Sequence, residues 1–283
     1  MDVSVSLTSY PADGSAAAVT DLGQAADELG LHTVWVTDHL IQADPAAAVT
    51  DPMLEAYAVL AFLAATTRRV RLGAMVSPVS FRPPALLIKS VTTLDVLSAG
   101  RAWLGVGAGY QQDEARAMGV PLPAPRERFE HLDDTVRLAA QMWRGDTAPF
   151  HGFHARLERP LSSPQPVTRP HPPILIGGTG ERRTLRLVAE HADACNLFDI
   201  PDGGATIRHK LAVLREHCAA VGRDDAGIIK TVSTAIGNGE PAEQFAGRCA
   251  ELKSYGLDHV VVIARGRPLT VGDLERVAAA RTV

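Results

Sequence analysis

Asp38 and His39 stand together in the segment WVTDHL, directly behind a short apolar run from Thr33 to Val36. An imidazole donates, accepts or shuttles a proton near neutral pH. Asp38 and His39 are therefore candidate catalytic groups, the plainer reading being a turn cap beside a rim histidine. At the carboxyl end of a strand in a barrel, polar residues face the site, so function outweighs the plainer reading. A second candidate is Gly177, Gly178, Thr179 and Gly180, which follows the apolar Ile174 to Ile176 and leads into a helix. Glycines let backbone N–H groups approach an anion, and a helix start adds partial positive charge. Arg182 and Arg183 fall in the first turn expected of that helix, where they oppose its dipole. An anionic ligand explains them better than helix stability does; otherwise the run is turn glycines with solvated arginines.

Other groups carry less. Gly105, Gly107 and Gly109 mimic a dinucleotide fingerprint, but the fingerprint sits between a strand and a helix. Here Gly105 falls inside a strand and a long loop follows, so that reading is rejected; glycines in a barrel wall make room for a flat ring. Gln111, Gln112, Asp113 and Glu114 read as a solvated helix start. His151 and His154 read as surface or lid residues, because a metal would need more ligands nearby. His171, between prolines, reads as structural. There is no nucleophile elbow and no HExxH motif.

The elements that must hold these residues alternate from end to end. Strands are expected at Val3–Leu7, Thr33–Val36, Val70–Val76, Ala102–Val106, Ile174–Ile176, Ala194–Phe198, Ile228–Thr234 and His259–Ala264. Helices are expected at Ala16–Leu29, Met53–Ala65, Pro83–Leu97, Arg126–Arg144, Glu181–Glu190, Ala205–Val221, Ala242–Tyr255 and Val271–Ala280. In Arg126–Arg144, Phe129, Leu132, Val136, Ala140 and Trp143 fall on one face. Helical crossovers impose parallel pairing. Eight strand–helix repeats in one chain favour a closed α/β barrel, a (β/α)8 TIM barrel, over an open sheet. Residues 145–173 hold seven prolines in 29 positions without periodicity, and are expected to be an insertion or lid before strand five. No other boundary divides residues 1–283, so one domain is expected.

With 46% apolar residues, 283 residues build a large core. The net charge of −4 and the lack of a basic cluster exclude a nucleic-acid partner. No run of eighteen apolar residues exists to span a membrane, and the first residues do not read as a signal peptide. Cys195, Cys218 and Cys249 are odd in number and far apart, which suits neither a disulfide framework nor a zinc site. A cytoplasmic protein with a small-molecule substrate is expected.

The chain also resembles the bacterial-luciferase-like family, and within it the F420-dependent oxidoreductases. The resembling segments are WVTDHL, RLGAMVSPVSFRPPALLIKSVTTLDVLSAGRAWLGVGAGY, RERFEHLDDTVRLAAQMW, RPHPPILIGGTGERRTLRLVAEHADACNLFD and IRHKLAVLREHCAAVGRD. They run from strand two through helix six, well over half of the chain. The resemblance implies a barrel with an insertion, a deazaflavin over its carboxyl end, and a homodimer. It implies a bulge with a non-prolyl cis peptide at Met75 and Val76 behind the ring. It places Asp38 and His39 on the ring and substrate side, and the cofactor phosphate on Gly177, Gly178 and Thr179. It further places Ala108, Gly109 and Tyr110 at the strand-four exit, lining the cofactor tail and substrate side, and Asn196 at the strand-six exit. The branch that oxidises a sugar phosphate carries a glutamate proton donor where Tyr110 stands, and a tryptophan where Ala43 is nearest. These departures argue against that substrate and leave His39 as the main acid–base group, with Tyr110 as a second donor. The expectation is an F420-dependent oxidoreductase acting by hydride transfer on a small organic substrate. The alternatives are an FMN-dependent monooxygenase and a non-catalytic cofactor-binding barrel subunit; the histidine and the glycine loop together argue against the last.

Overall fold

Valine and leucine alternate with serine in Asp2–Leu7 (β1), and a strand sends successive side chains to opposite faces. Val3, Val5 and Leu7 join the core shared with the helices, while Ser4 and Ser6 are buried on the other face. The remaining barrel strands are Thr33–Val36 (β2), Arg71–Ala74 (β3), Ala102–Gly107 (β4), Ile174–Gly177 (β5), Ala194–Phe198 (β6), Ile229–Ala235 (β7) and His259–Ile263 (β8). They keep the same parity: Val34, Leu72, Leu104, Ile176, Val232 and Val260 point to the helices. Trp35, Trp103, Leu175, Ala194 and Val261 form a separate interior cluster. All eight strands pair in parallel in chain order, and β8 closes on β1 through the register Asp2↔His259 to Val5↔Val262. The structure, a computed structural model, describes residues 1–281; the last two positions of the expected domain lie outside the described residues. No helix among the described residues is long and apolar enough to cross a membrane.

Nine α-helices surround the barrel among the described residues: Ala16–Glu28 (α1), Ala56–Thr66 (α2), Pro84–Leu97 (α3), Gln112–Met118 (α4), Pro125–Trp143 (α5), Thr184–His191 (α6), Ala205–Ala220 (α7), Ala242–Ser254 (α8) and Val271–Ala279 (α9). The sequence pattern finds eight of these and misses the short α4 as an element. It also begins α6 three residues early. Residues 181–183 are turns, so Arg182 and Arg183 precede the first helical turn. Both are exposed, and the Arg183 guanidinium lies 5.5 Å from the centre of the Phe129 ring.

Two tryptophans plug the barrel, with ring centres 5.5 Å apart. Gly73 permits this: a Cβ there would stand 2.7 Å from Trp35 Cζ3 and 2.8 Å from Trp103 Cβ. Above the plug β3 breaks. The Met75–Val76 peptide is cis, and pairing with β4 resumes at Ser77↔Val106 and Pro78↔Gly107. The break turns the Ala74 carbonyl onto β4, where a Cβ on residue 105 would lie 1.9 Å from that oxygen. Gly105 is therefore required by the bulge.

The proline-rich insertion is fastened along α3 and α5, not over the barrel mouth as a lid. Its prolines donate no hydrogen bonds, and two buried carboxylates anchor it through five of its backbone N–H groups. Asp134 of α5 accepts from the N–H groups of Phe153, His154 and Ala155. Asp95 of α3 accepts from the N–H groups of Val167 and Thr168 and from the Thr168 hydroxyl. His171 stacks on Trp143, ring centres 5.8 Å apart, in keeping with a structural role.

Gly105→Ala is expected to destabilise the fold by about 3 kcal/mol or more, because the clash is with backbone that no rotamer relieves. Gly247→Ala, in the middle of α8 with no atom within 4 Å of the added carbon, should stabilise it by about 0.5–1 kcal/mol. Thermal melting of the two variants side by side reads both signs.

Candidate active site

Inward residues near the carboxyl ends of six of the strands set the top of the barrel. Ser6, Gly107, Gly177, Asn196, Ser233 and Ile263 floor a cavity of about 590 Å³, within the range of small-molecule sites. Val76 and Met75 rise into it from the bulge. A Cβ on Gly107 would lie 2.7 Å from Val76 Cγ2, and one on Gly177 would lie 2.8 Å from Val76 Cγ1. The two glycines thus make room for the Val76 side chain, which stands in the cavity as an apolar platform. The wall glycines admit the bulge first, and a flat ring only by way of it.

Two consecutive residues after β2 point in opposite directions. Asp38 is buried and takes a two-point ion pair from Arg82, with Nη1 2.5 Å from Oδ2 and Nη2 3.0 Å from Oδ1. Arg82 also reaches Glu55 and lies over the Tyr57 ring. Asp38 is consumed in that pair and does not line the cavity. His39 does. Its Nδ1 lies 2.8 Å from Glu114 Oε2, and the second carboxylate oxygen of Glu114 accepts from the Leu40 N–H at 2.5 Å.

Glu114 is only 3% exposed. Burial alone would raise its pKa, but hydrogen bonds from His39, Leu40 and Ile41 outweigh burial and hold it below the ordinary value. It also sits in the first turn of α4, where the helix dipole favours a negative charge. Glu114 therefore stays a carboxylate. It accepts the hydrogen bond of His39 Nδ1–H, so Nε2 is the nitrogen left to serve the cavity.

Tyr110 stands edge-on to His39, ring centres 6.1 Å apart, and is exposed at the rim. Asn196 is fixed from both ends: its Nδ2 donates to Ser233 Oγ at 3.0 Å, and its Oδ1 accepts from Thr231 Oγ1 at 2.8 Å. Ser6 Oγ is buried with no hydrogen-bond partner. On the far side Gly178, with φ of +119°, turns the chain toward α6. Among the described residues, no N–H from Thr179 to Thr184 donates to another group.

Of the expected site residues, His39, Met75, Val76, Ala108, Gly109, Tyr110, Gly177, Gly178 and Asn196 line the cavity, whereas Asp38 and Thr179 do not. Glu114 corrects the sequence reading most. A solvated helix start was expected there, and α4 does begin at Gln112, but its third residue turns inward to His39. Ser6 was also missed, although the serine–valine alternation of β1 marks an inward polar row.

The sequence pattern of the family described as luciferase-like monooxygenase matches residues 2–252. The chain belongs to this family. Among luciferase-like relatives, an F420-dependent glucose-6-phosphate dehydrogenase of Kineococcus radiotolerans is 32% identical over 235 residues, covering 80% of this chain and 65% of the relative. An FMNH2-dependent dimethylsulfone monooxygenase of Pseudomonas putida is 32% identical over 117 residues, covering 41% of this chain and 32% of that one. The chain thus spans about two thirds or less of the length of these relatives. The fold is also that of the coenzyme F420-dependent tetrahydromethanopterin reductase of Methanopyrus kandleri, with a TM-score of 0.80 at 16% identity over 98% of this chain and 97% of the other.

Glu114→Gln tests the pairing without reference to turnover. Its lowered pKa means the carboxylate stabilises the fold above the ordinary glutamate range and loses that effect as the pH falls through its folded value. The variant should be about 1–3 kcal/mol less stable at pH 7, with the gap closing below about pH 4. Chemical denaturation at pH 7 and pH 3.5 measures it; a gap of equal size at both would deny the charge its role.

Proposed function

We propose that this protein is an F420-dependent oxidoreductase acting on a small, uncharged organic substrate. The observation that carries the reading is the buried Glu114 carboxylate behind His39 at the mouth of an apolar cavity. The cavity residues fit a flat heterocycle: Val76 offers an apolar face, and Ser6 Oγ is a buried polar atom in want of a partner. Val76 and Met75 would back the ring, Ser6 and Asn196 would meet its polar edge, and the turn Gly177–Thr179 would take the phosphate. When bound, the deazaflavin accepts or donates hydride at its position 5.

The chain's own residues supply the proton side of that exchange. Taking hydride from an alcohol carbon requires the hydroxyl proton to leave with it, and returning hydride to a carbonyl requires a proton to arrive. His39 Nε2 does both, and Glu114 stabilises the imidazolium formed in the first case. Among the described residues no lysine or arginine lines the cavity, so a phosphorylated sugar would find no cationic side chain of theirs inside it. Together with Tyr110 and Ala43, this supports a neutral alcohol or carbonyl compound. An FMN-dependent monooxygenase is the second reading, favoured by the dimethylsulfone monooxygenase relative.

Parallel absorbance titrations should show F420 binding well below FMN in concentration; tighter FMN would replace the first reading by the second. With F420 bound and a screen of secondary alcohols and ketones, His39→Ala should lower turnover by about 10²–10⁴-fold while leaving F420 affinity nearly unchanged. Equal losses in both would reduce His39 to a binding group.

A further inference from the structure

His154 was left without enough partners by its place in the chain; the fold supplies them from α5. Glu127, Glu130 and His131 fall at i, i+3 and i+4 and share one face of that helix. The insertion hairpin, Phe150–His151 with Arg156–Leu157, sets His154 against this face. Its turn is wrapped on the Asp134 carboxylate, which accepts from the N–H groups of Phe153 at 2.8 Å, His154 at 2.8 Å and Ala155 at 2.9 Å. Gly152 lies so close that a Cβ would stand 2.2 Å from Asp134 Oδ1. Asp134 is fully buried, so His154 is carried on a fixed turn.

The rings of His131 and His154 stack with centres 4.3 Å apart and planes 25° apart. Glu127, His131 and His154 each offer a ligand atom within 4.8 Å of the others. Glu130 Oε2 lies 2.9 Å from His154 Nε2, while its other oxygen is held by Arg126 at 2.8 Å. Two imidazoles and a carboxylate are a zinc donor set, with Zn–N and Zn–O distances near 2.0–2.2 Å. Ligand atoms of one tetrahedral zinc therefore stand about 3.4 Å apart. The remaining closure needs only side-chain rotation, since His131 and His154 are 28% and 30% exposed and Glu127 is 45% exposed.

We propose that Glu127, His131 and His154, bordered by Glu130, form a binding site for a divalent transition-metal cation of the zinc class, which clips the insertion hairpin to α5. None of these residues lines the mouth cavity, so the site is separate from the proposed chemistry. A neighbouring group, Asp133, Glu190 and His191, has one imidazole and serves as the internal control.

The test is a Zn²⁺ titration of the untagged full chain in competition with a chromophoric chelator. The expected result is one zinc per chain at micromolar affinity or better. His131→Ala and His154→Ala should each weaken it by about tenfold or more, and His191→Ala should leave it unchanged. Zinc should raise the melting temperature of the parent chain but not of His154→Ala. His154→Gln, which keeps a polar partner for Glu130, separates loss of a ligand from loss of folding, with far-UV circular dichroism as the check. Affinity no better than millimolar, binding that survives both histidine variants, or binding lost in His191→Ala alone would overturn the site.

Discussion

The carbonyl oxygen of Ala74 occupies the place where a side chain of residue 105 would begin. Everything at the barrel mouth is arranged around that one contact. A glycine at 105 admits the carbonyl, and the bulge then lifts Val76 between β4 and β5. There Gly107 and Gly177 must also lack side chains, because either Cβ would fall within 2.8 Å of a Val76 methyl. Three glycines on two strands thus serve one break in a third. Beneath it, Trp35 and Trp103 fill the barrel, so the platform rests on packed side chains and not on a void. Interiors packed to this density hold a displaced backbone in place.

The second constraint is electrostatic. Consecutive residues after β2 are committed to opposite partners, Asp38 to Arg82 and His39 to Glu114. The first pair is a strut between the β2 exit and the segment leading into α3. In the second, the other imidazole nitrogen is turned to the cavity. A carboxylate behind an imidazole fixes the tautomer, because it can only accept from the ring nitrogen that faces it. The cost of burying Glu114 is met by the Leu40 and Ile41 N–H groups and by its place in the first turn of α4.

The barrel itself was legible because its two signals are local. Alternation marks β1, three- and four-residue spacing marks α5, and glycine marks the ends. His39, Val76, Gly177 and Asn196 were legible because strand exits in a barrel face the site, and because the resembling segments run through them. Glu114 was not. A short polar stretch after a strand has no periodicity that says which side chain turns inward. Its first-turn position reads equally well as a solvated start. Asp38 was misplaced for the converse reason: its sequence neighbour is His39, but its charge partner Arg82 lies 44 positions away. The insertion looked like a lid because prolines erase periodicity, yet Asp134 and Asp95 hold it from outside at two places, Phe153–Ala155 and Val167–Thr168.

Tyr110 at the strand-four exit and Glu114 on α4 together set what the cavity can hold. A carboxylate at position 110 would stand at the mouth, open to substrate, and would ask for a cationic or protic partner there. At position 114 the charge is withdrawn behind His39 and spent on three donors of the chain itself. The rest of the described lining is apolar side chains and neutral polar groups, with the His39 imidazole beside Glu114. Bringing an anionic substrate into the cavity would cost desolvation that no lysine or arginine among the described lining residues repays. A neutral alcohol or carbonyl compound incurs little of that cost and needs only what the site has: an apolar wall, one hydrogen-bonding edge and one nitrogen that can exchange a proton.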